Sequence, residues 1–280
     1  KLPDNALTHK ILNNLKQFDV DTESIVIKGD KLGIYWTENG IGPRNSFVIY
    51  DRDNTSFSSM TIDDFNWEEI FKDSSWFHFS GISPSVSENV FNVLKQAVSK
   101  IDIPYSVDLN FRSKLWKWVD KEAFEIKTKM EHLCKGATLL AGNESDFQDV
   151  LSIHSGKDSS EGIYDEVAFK CFEKFPMLKY VSISIREAIS ASSNDWSGVM
   201  YVKDSDDFRF SSIKYRIEPI EDRVGTGDSF VAGIIYGLIN DQMTSMQGIV
   251  DFASTLAALN HTISGDSSIF TSAEVFNVLR

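Results

Sequence analysis

The sequence has only two cysteines and no long apolar run. Cys134 and Cys171 lie far apart, which excludes a disulfide framework and a CxxC metal pair and is typical of reduced thiols in a cytosolic protein. No stretch reaches the ~18 uncharged apolar residues that a membrane helix needs. The longest charge-free segments, such as 252–265, contain Ser, Thr, Asn and Gly. We therefore expect a cytoplasmic protein without a membrane partner.

Positive charge is also scarce. The chain has 28 Lys and Arg residues against 41 Asp and Glu residues, which gives a net charge of −13 and a pI near 4.8. A protein held on nucleic acid by charge needs a basic face, so this composition predicts no nucleic-acid partner. A small anionic substrate stays open, because a site can be locally basic on an acidic protein.

The composition and the first residues set two further expectations. Apolar residues make up 42% of the 280 residues and charged residues 25%, which is ordinary globular usage and argues against disorder. The N-terminal stretch KLPDNALTHK resembles neither a signal peptide nor a transit sequence and lacks an initiator Met. We therefore expect the native start to be absent.

Hydrophobic periodicity predicts an α/β fold. An apolar face over residues 4–18 predicts an amphipathic helix. Between residues 25 and 50, β-formers interrupted by glycines and by Asn39-Gly40 predict two or three short antiparallel strands in a sheet with one exposed face. After residue 75, strands alternate with helices, which predicts βαβ units and a parallel sheet.

These elements predict a single doubly wound domain over residues 1–280 with a small β appendage at 31–60. The predicted parallel-sheet strands are 76–79, 104–109, 138–140 and 181–185. The predicted helices after residue 75 are 86–98, 120–135, 164–175, 228–240 and 245–261, the last two closing the chain. Residues 195–218 predict an antiparallel extension of the sheet.

The segment Asp222 to Phe230, DRVGTGDSF, gives the clearest indication of a functional site. It follows the strand-like YRIEPI and precedes an apolar helix. Glycines before a helix leave backbone N–H groups unobstructed, and the helix N-terminus adds partial positive charge, so the segment can cradle an anion. Asp228 lies where a carboxylate could take a proton from an attacking hydroxyl. A plain helix cap is the alternative.

The same segment resembles the second signature of the ribokinase-like (PfkB-type) carbohydrate kinases, Asp-Thr-x-Gly-Ala-Gly-Asp-x-Phe. Asp222, Gly225, Gly227, Asp228 and Phe230 match it in place. Further segments resemble the 2-keto-3-deoxygluconate kinase branch from about residue 32 to residue 266; they are LGIYWTENG, VIYDRDNTS, WFHFSGISPS, VDLNFRSKLW and HTISGD. The resemblance implies a ribokinase-like fold in which the β appendage is a lid. It also implies ATP- and Mg²⁺-dependent phosphorylation of a sugar acid at its terminal hydroxyl.

The resemblance implies roles for residues of the transfer site. Asp228 would be the general base that deprotonates the sugar hydroxyl. The backbone amides of Gly225, Thr226 and Gly227 would stabilise charge on the transferring phosphoryl group. Arg112, in the segment NFR, matches the family arginine at the phosphoryl and substrate site.

It implies further contacts around that site. The positions matching substrate contacts in the lid, the sugar pocket and the end of the site are Tyr35, Tyr50, Arg52, Gly81, Ile82 and Asp266. Asn143 and Arg186 match positions at the nucleotide. The family Glu near Mg²⁺ is Asp146 here, one methylene shorter, which implies an indirect metal role. The family pattern leaves room for a monovalent cation and for a homo-oligomer.

Two arginines favour an acidic substrate. A sugar acid needs a cation, and the guanidinium of Arg52 or Arg112 offers a planar fork for a carboxylate. The alternative is that each is a surface arginine paired with a nearby acid: Asp51, Asp53 or Asp108. A ribokinase-like kinase of a neutral sugar and a non-catalytic sugar- or nucleotide-binding protein on this fold stay open as other functions.

One part of the family pattern is not found in the sequence. Members of the family begin with a strand and a Gly-Gly-Ala-x-x-Asn loop that lines the sugar site. Neither can be read in these 280 residues. We therefore expect the N-terminal strand and the Gly-Gly loop to be missing.

Overall fold

The computed structural model describes residues 1–38, 40, 44, 46–119, 123–157 and 160–279. The helices of this described part are α1 (Ala6–Lys16), α2 (Trp67–Phe71), α3 (Ile82–Val86), α4 (Glu88–Lys100), α5 (Ala123–Cys134), α6 (Glu144–Leu151), α7 (Ser160–Lys174), α8 (Thr226–Ile239), α9 (Met246–Asn260) and α10 (Ser272–Leu279). The strands are β1 (Ile34–Glu38), β2 (Phe47–Asp51), β3 (Phe77–Ser80), β4 (Tyr105–Asp108), β5 (Leu139–Gly142), β6 (Tyr180–Ser190), β7 (Ser193–Val202), β8 (Arg209–Ser211) and β9 (Tyr215–Ile217).

The central sheet is mostly parallel, as predicted. Its strand order is β3-β4-β5-β6-β7-β8, and β9 also pairs with β7. Strands β3 to β6 run parallel, whereas β7 is antiparallel to β6, β8 and β9. Strands β4 and β5 are buried along their whole length because helices cover both faces of the parallel part. The antiparallel extension predicted over residues 195–218 is confirmed.

Alternation along β7 shows that the sheet is doubly wound. Val199 and Tyr201 pack into a core with residues of α4 to α7. Trp196 and Met200, which point to the opposite face, pack with residues of α8 and α9. Because successive side chains of a strand alternate between faces, one strand contributes to both helix layers. These two cores fix where α8 begins relative to the strand ends.

The predicted β appendage is a two-stranded antiparallel sheet of β1 and β2, which we call the lid. Tyr35 pairs with Tyr50 on one face, and Trp36 pairs with Ile49 on the other. Trp36 is 63% exposed and Ile49 50% exposed, so the predicted exposed face is confirmed. Residues near 25–29 add no third strand to it, since Ile27 makes only an isolated parallel bridge to Leu2. Asn39 of the predicted turn lies outside the described residues.

The end of the chain differs from the prediction. Residues 245–261 were expected to form the last helix, but α10 follows, so that prediction is wrong. Val275 of α10 packs against Phe252 and Leu256 of α9. An eight-residue helix with one buried residue carries too little periodicity to stand out in sequence. No helix in the described part combines the length and apolarity that crossing a membrane requires.

Candidate active site

A glycine loop leads into α8, and Asp222 holds it in shape. The Asp222 Oδ1 atom accepts the amides of Arg223 at 2.7 Å and Val224 at 3.0 Å. Its Oδ2 atom accepts the amide of Gly265 at 3.2 Å. Gly225 follows with φ of +78°, and a Cβ on it would lie 2.1 Å from the carbonyl oxygen of Asp266. The loop therefore requires glycine at position 225.

Asp228 does not cap this helix. Gly225 is the N-cap residue of α8 and makes no side-chain cap hydrogen bond. The amides that follow it, including those of Thr226 and Gly227, belong to the first turn, whose N–H groups have no acceptor within a helix. The plain cap alternative is therefore wrong, and the loop has the backbone geometry of an anion cradle.

The two glycines of the cradle should respond differently to alanine. Gly225→Ala introduces a Cβ into backbone at positive φ and should lower the melting temperature. Gly227→Ala places its Cβ where nothing lies within 4 Å and should leave the melting temperature unchanged or raise it. Thermal unfolding of the two variants checks this. Equal destabilisation would contradict the role given to Gly225.

The ends of β3 and β4 lie beside the cradle. Ser80 pairs with Asp108 at the carboxyl ends of these strands, the sheet edge where open α/β folds bind ligands. The Gly81 amide donates to the Asp108 carbonyl at 2.7 Å, and a Cβ on Gly81 would lie 2.1 Å from the Leu109 carbonyl oxygen. Gly81 is therefore closely packed at this edge, and Ile82 follows it as the first residue of α3.

Asp108 and Asn110 connect this edge to Asp228. The Asn110 Nδ2 atom lies 3.1 Å from Asp108 Oδ2 and 3.5 Å from Asp228 Oδ1. Burial raises the pKa of Asp108 well above its usual range, and the charges of Asp228 and Asp146 add to the rise. Sequence reasoning gave Asn110 no role and named Asp108 only as a partner for an arginine. The sequence signal that could have identified them is a pair of polar residues at the end of a buried strand.

The carboxylate of Asp228 has a raised pKa. The residue is exposed, yet desolvation by the surrounding protein raises its pKa, and Arg112 opposes that rise. The charge of Asp266 raises the pKa further. A carboxylate with a raised pKa beside an anion cradle has the properties of a general base.

Asp146 braces the neighbouring loop. Its Oδ1 atom accepts the Phe111 amide at 3.0 Å and its Oδ2 atom accepts the Asn143 amide at 3.0 Å. Asn143 is the N-cap of α6 and is exposed. Both Asp146 oxygens are thus engaged, and the described residues contain no group of three His, Cys, Asp or Glu side chains that could hold a metal ion. Because Mg²⁺ in kinase sites takes few protein ligands beside phosphates and water, this arrangement fits an indirect role of Asp146 rather than a direct one.

The lid reaches the cradle through Tyr35. Its hydroxyl donates to Asp266 Oδ2 at 3.3 Å, and the backbone of Asp266 abuts Gly225. The Arg52 guanidinium lies over the rings of Tyr35, at 5.7 Å, and Tyr50, at 5.3 Å. The predicted lid residues are therefore brought together with the predicted residues of the cradle.

Arg186 stands apart from these contacts. It is exposed on β6, opposite Trp196 of β7. Its charge lowers the pKa of Arg223 after desolvation, the larger cause. Arg223 in turn donates from Nη2 to the Ser190 carbonyl at 2.8 Å. Arg186 thus lies near Arg223, the residue that follows Asp222 at the start of the loop.

A doubly wound sheet, a small antiparallel lid and a glycine cradle with a carboxylate define a phosphoryl-transfer class of enzyme. The chain matches the pfkB family carbohydrate kinases over residues 1–272. It therefore belongs to this family and is a carbohydrate kinase, and the ribokinase-like fold implied by the resemblance is confirmed. ATP is the phosphoryl donor implied by the family.

Individual relatives cover most of the chain. The crystal structure of 2-dehydro-3-deoxygluconokinase from Thermotoga maritima superposes on it with a TM-score of 0.90 and 34% sequence identity. The match covers 99% of this chain and 82% of that one. A PfkB family carbohydrate kinase structure from Listeria grayi gives 27% identity and a TM-score of 0.84, covering 99% and 82%. The 2-dehydro-3-deoxygalactonokinase of Haloferax volcanii is 26% identical, over 100% of this chain and 80% of its own length.

Proposed function

We propose that this kinase phosphorylates the terminal hydroxyl of a sugar acid, 2-keto-3-deoxygluconate (2-dehydro-3-deoxygluconate), to give 2-keto-3-deoxy-6-phosphogluconate. The Thermotoga maritima enzyme, whose name carries this substrate, supports the proposal. What the described residues add is a reason for the acid: neither Arg52 nor Arg112 forms an ion pair among them, and the Arg52 guanidinium lies over the lid tyrosines.

The pairing of the neighbouring acids carries the proposal. Asp51 pairs with Lys31 at 2.5 Å and Asp53 with Lys117 at 3.2 Å, while Asp108 accepts a hydrogen bond from Asn110. The two acids next to Arg52 in the sequence are thus paired with lysines, and in the described part of the chain Asp108 forms no ion pair with Arg112.

Arg112 donates from Nη1 to the Phe111 carbonyl at 2.8 Å, and its charge opposes the rise that burial causes in the pKa of Asp108, Asp146 and Asp228. Among the described residues, neither Arg52 nor Arg112 forms an ion pair. Burial lowers the pKa of Arg52, and the positive charge of Arg112 lowers it further. Two guanidinium groups that repel one another favour a bound carboxylate between them.

The proposed transfer uses the cradle and Asp228. The terminal hydroxyl of the sugar acid attacks the γ-phosphorus of ATP, and the bond to the β-phosphate oxygen breaks to release ADP. The hydroxyl proton passes to the Asp228 carboxylate. The amides of Gly225, Thr226 and Gly227 stabilise the charge of the transferring group, and Arg112 adds a positive charge beside it.

The remaining predicted residues would bind and enclose the substrates. Tyr35, Tyr50 and Arg52 would close over the sugar acid and exclude water, which limits ATP hydrolysis. The sugar would lie against Gly81 and Ile82, with Asp266 at the far end.

The nucleotide side and the assembly complete the proposal. Asn143 and Arg186 would approach the nucleotide. Mg²⁺, when bound, neutralises charge on the phosphates; Asp146 would contribute indirectly by holding Asn143. We place the enzyme in the cytoplasm, where the free cysteines Cys134 and Cys171 stay reduced. A monovalent cation and a homo-oligomer remain predictions; light scattering of the purified protein tests the oligomer.

An ADP-release assay tests the substrate. The full-length protein is given Mg·ATP with 2-keto-3-deoxygluconate, gluconate, ribose or fructose. We expect turnover on the keto-deoxy acid and little on the neutral sugars. Turnover on ribose or fructose alone would still support a carbohydrate kinase but would refute the sugar-acid substrate. The C4 epimer 2-keto-3-deoxygalactonate belongs in the panel, because the Haloferax volcanii relative is named for it.

A further inference from the structure

Asp108 is a second carboxylate at the transfer site, and the roles proposed above make no use of it. It is the last residue of β4 and is 6% exposed. Within the described residues it has no ion-pair partner, and its side-chain hydrogen bond comes from Asn110. Burying a carboxylate without a cation costs free energy. Buried carboxylates with perturbed pKa values are concentrated at functional sites.

The backbone turns at Asn110 so that its side chain returns to the strand end. Asn110 has φ of +36°, a left-handed conformation that asparagine tolerates better than most residues. The Phe111 amide that follows is held by Asp146 Oδ1 at 3.0 Å. Asn110 is 9% exposed. Its position is therefore defined from both sides of the turn.

Asp108 can determine which way round the Asn110 carboxamide is oriented. A carboxamide has a donating nitrogen and an accepting oxygen, and either could face Asp228. An acceptor at Asp108 Oδ2, 3.1 Å from Asn110 Nδ2, favours the orientation that turns the nitrogen toward both carboxylates. In that orientation Nδ2 also lies 3.5 Å from Asp228 Oδ1. With its two hydrogens, one nitrogen can serve both acids.

We propose that Asp108 is a positioning residue for phosphoryl transfer, orienting the Asn110 amide so that its nitrogen donates to the carboxylate of Asp228. The inference rests on the proposed role of Asp228 as general base. It assigns Asp108 no contact with the reacting atoms. A donor at Asp228 stabilises the ionised form, which is the form that accepts the proton.

Charged groups around the pair define the expected pH dependence. Asp228, Asp146 and Arg112 act on Asp108, and Arg112 and Asp266 act on Asp228. Removing the Asn110 donor destabilises ionised Asp228 and so raises its pKa. The acid limb of the kcat/KM profile should then move to higher pH in Asn110→Ala.

The test is a mutant cycle with turnover as the readout. Asp108→Ala and Asn110→Ala should each lower kcat by about 10- to 100-fold, with the KM for ATP nearly unchanged. If Asp108 acts through Asn110, the double variant should be no slower than Asn110→Ala. Asp108→Asn keeps an accepting oxygen and should recover most of the turnover. Ser106→Ala, also buried on β4, is the matched control and should retain the wild-type kcat.

Several outcomes would overturn the proposal. They are wild-type kcat in Asp108→Ala, a double variant slowed by the product of the two single effects, or an unmoved acid limb in Asn110→Ala. If Asp108→Ala does not fold, Asp108→Leu takes its place, because it removes the accepting oxygen while filling the same buried space; wild-type kcat in Asp108→Leu would overturn the proposal. A wild-type protein without kinase turnover would refute the proposed function instead, so the two failures are distinguishable.

Discussion

Asp228→Asn should reduce turnover by at least about 100-fold, the usual minimum contribution of a positioned general base. The amide is close in shape to the carboxylate but cannot take the hydroxyl proton. The carboxylate makes no helix cap, and its hydrogen bond comes from Asn110 at 3.5 Å. We therefore expect the melting temperature and ATP affinity to stay close to wild type.

A matched variant and a pH profile make this prediction specific. Glu88→Gln removes a carboxylate from the first turn of α4 and should leave turnover unchanged. Because burial raises the pKa of Asp228, wild-type kcat/KM should fall as the pH drops through that raised pKa and the base becomes protonated. Near wild-type turnover in Asp228→Asn would remove Asp228 from the mechanism.

Arg52→Ala and Arg112→Ala should weaken the use of a sugar acid far more than they weaken ATP binding. Losing a hydrogen bond to a charged partner costs about 1.5–3 kcal/mol. That cost corresponds to about a 10- to 150-fold loss in kcat/KM. Arg112→Ala should also lower kcat, because we place its charge beside the transferring phosphoryl group.

Kinetics in both substrates, together with ATP binding by calorimetry, measure the difference. Arg209→Ala is the control, since Arg209 on β8 has an acidic partner, Asp165, at 3.4 Å. Its removal should leave both KM values unchanged. If Arg112→Ala impaired sugar and nucleotide equally, Arg112 would be a nucleotide-side or structural residue.

The fold was largely predictable from the sequence because its signals are local. Buried strands such as β4 and β5 read as short apolar runs, and the helix faces of α4 and α9 repeat with helical period. Short elements were missed because too few residues repeat; α2, α6 and α10 are examples. The length of β6 was also underestimated, since pairing with β7 rather than local preference extends it to Ser190.

The parts of the candidate site formed by consecutive residues were predictable from the sequence. The parts formed by tertiary contacts were not. The cradle follows from consecutive residues, Gly225 to Asp228. The Asn110 bridge between Asp108 and Asp228 joins residues 118 positions apart, and periodicity carries no information about such a contact. The acidic neighbours of Arg52 illustrate the same limit. Sequence proximity suggested Asp51 or Asp53 as its partner, but lysines from other segments bind both.

The two-stranded lid has an energetic consequence for substrate choice. An isolated two-stranded ribbon is only marginally stable in water. The outer face of this one, with Trp36 and Ile49, is exposed to solvent. Its position therefore depends on contacts with the rest of the protein, including the contact from Tyr35 to Asp266. If the lid closes over the sugar acid as proposed, part of the binding energy of a correct substrate orders the ribbon, and discrimination should appear in the rate of closure as well as in affinity.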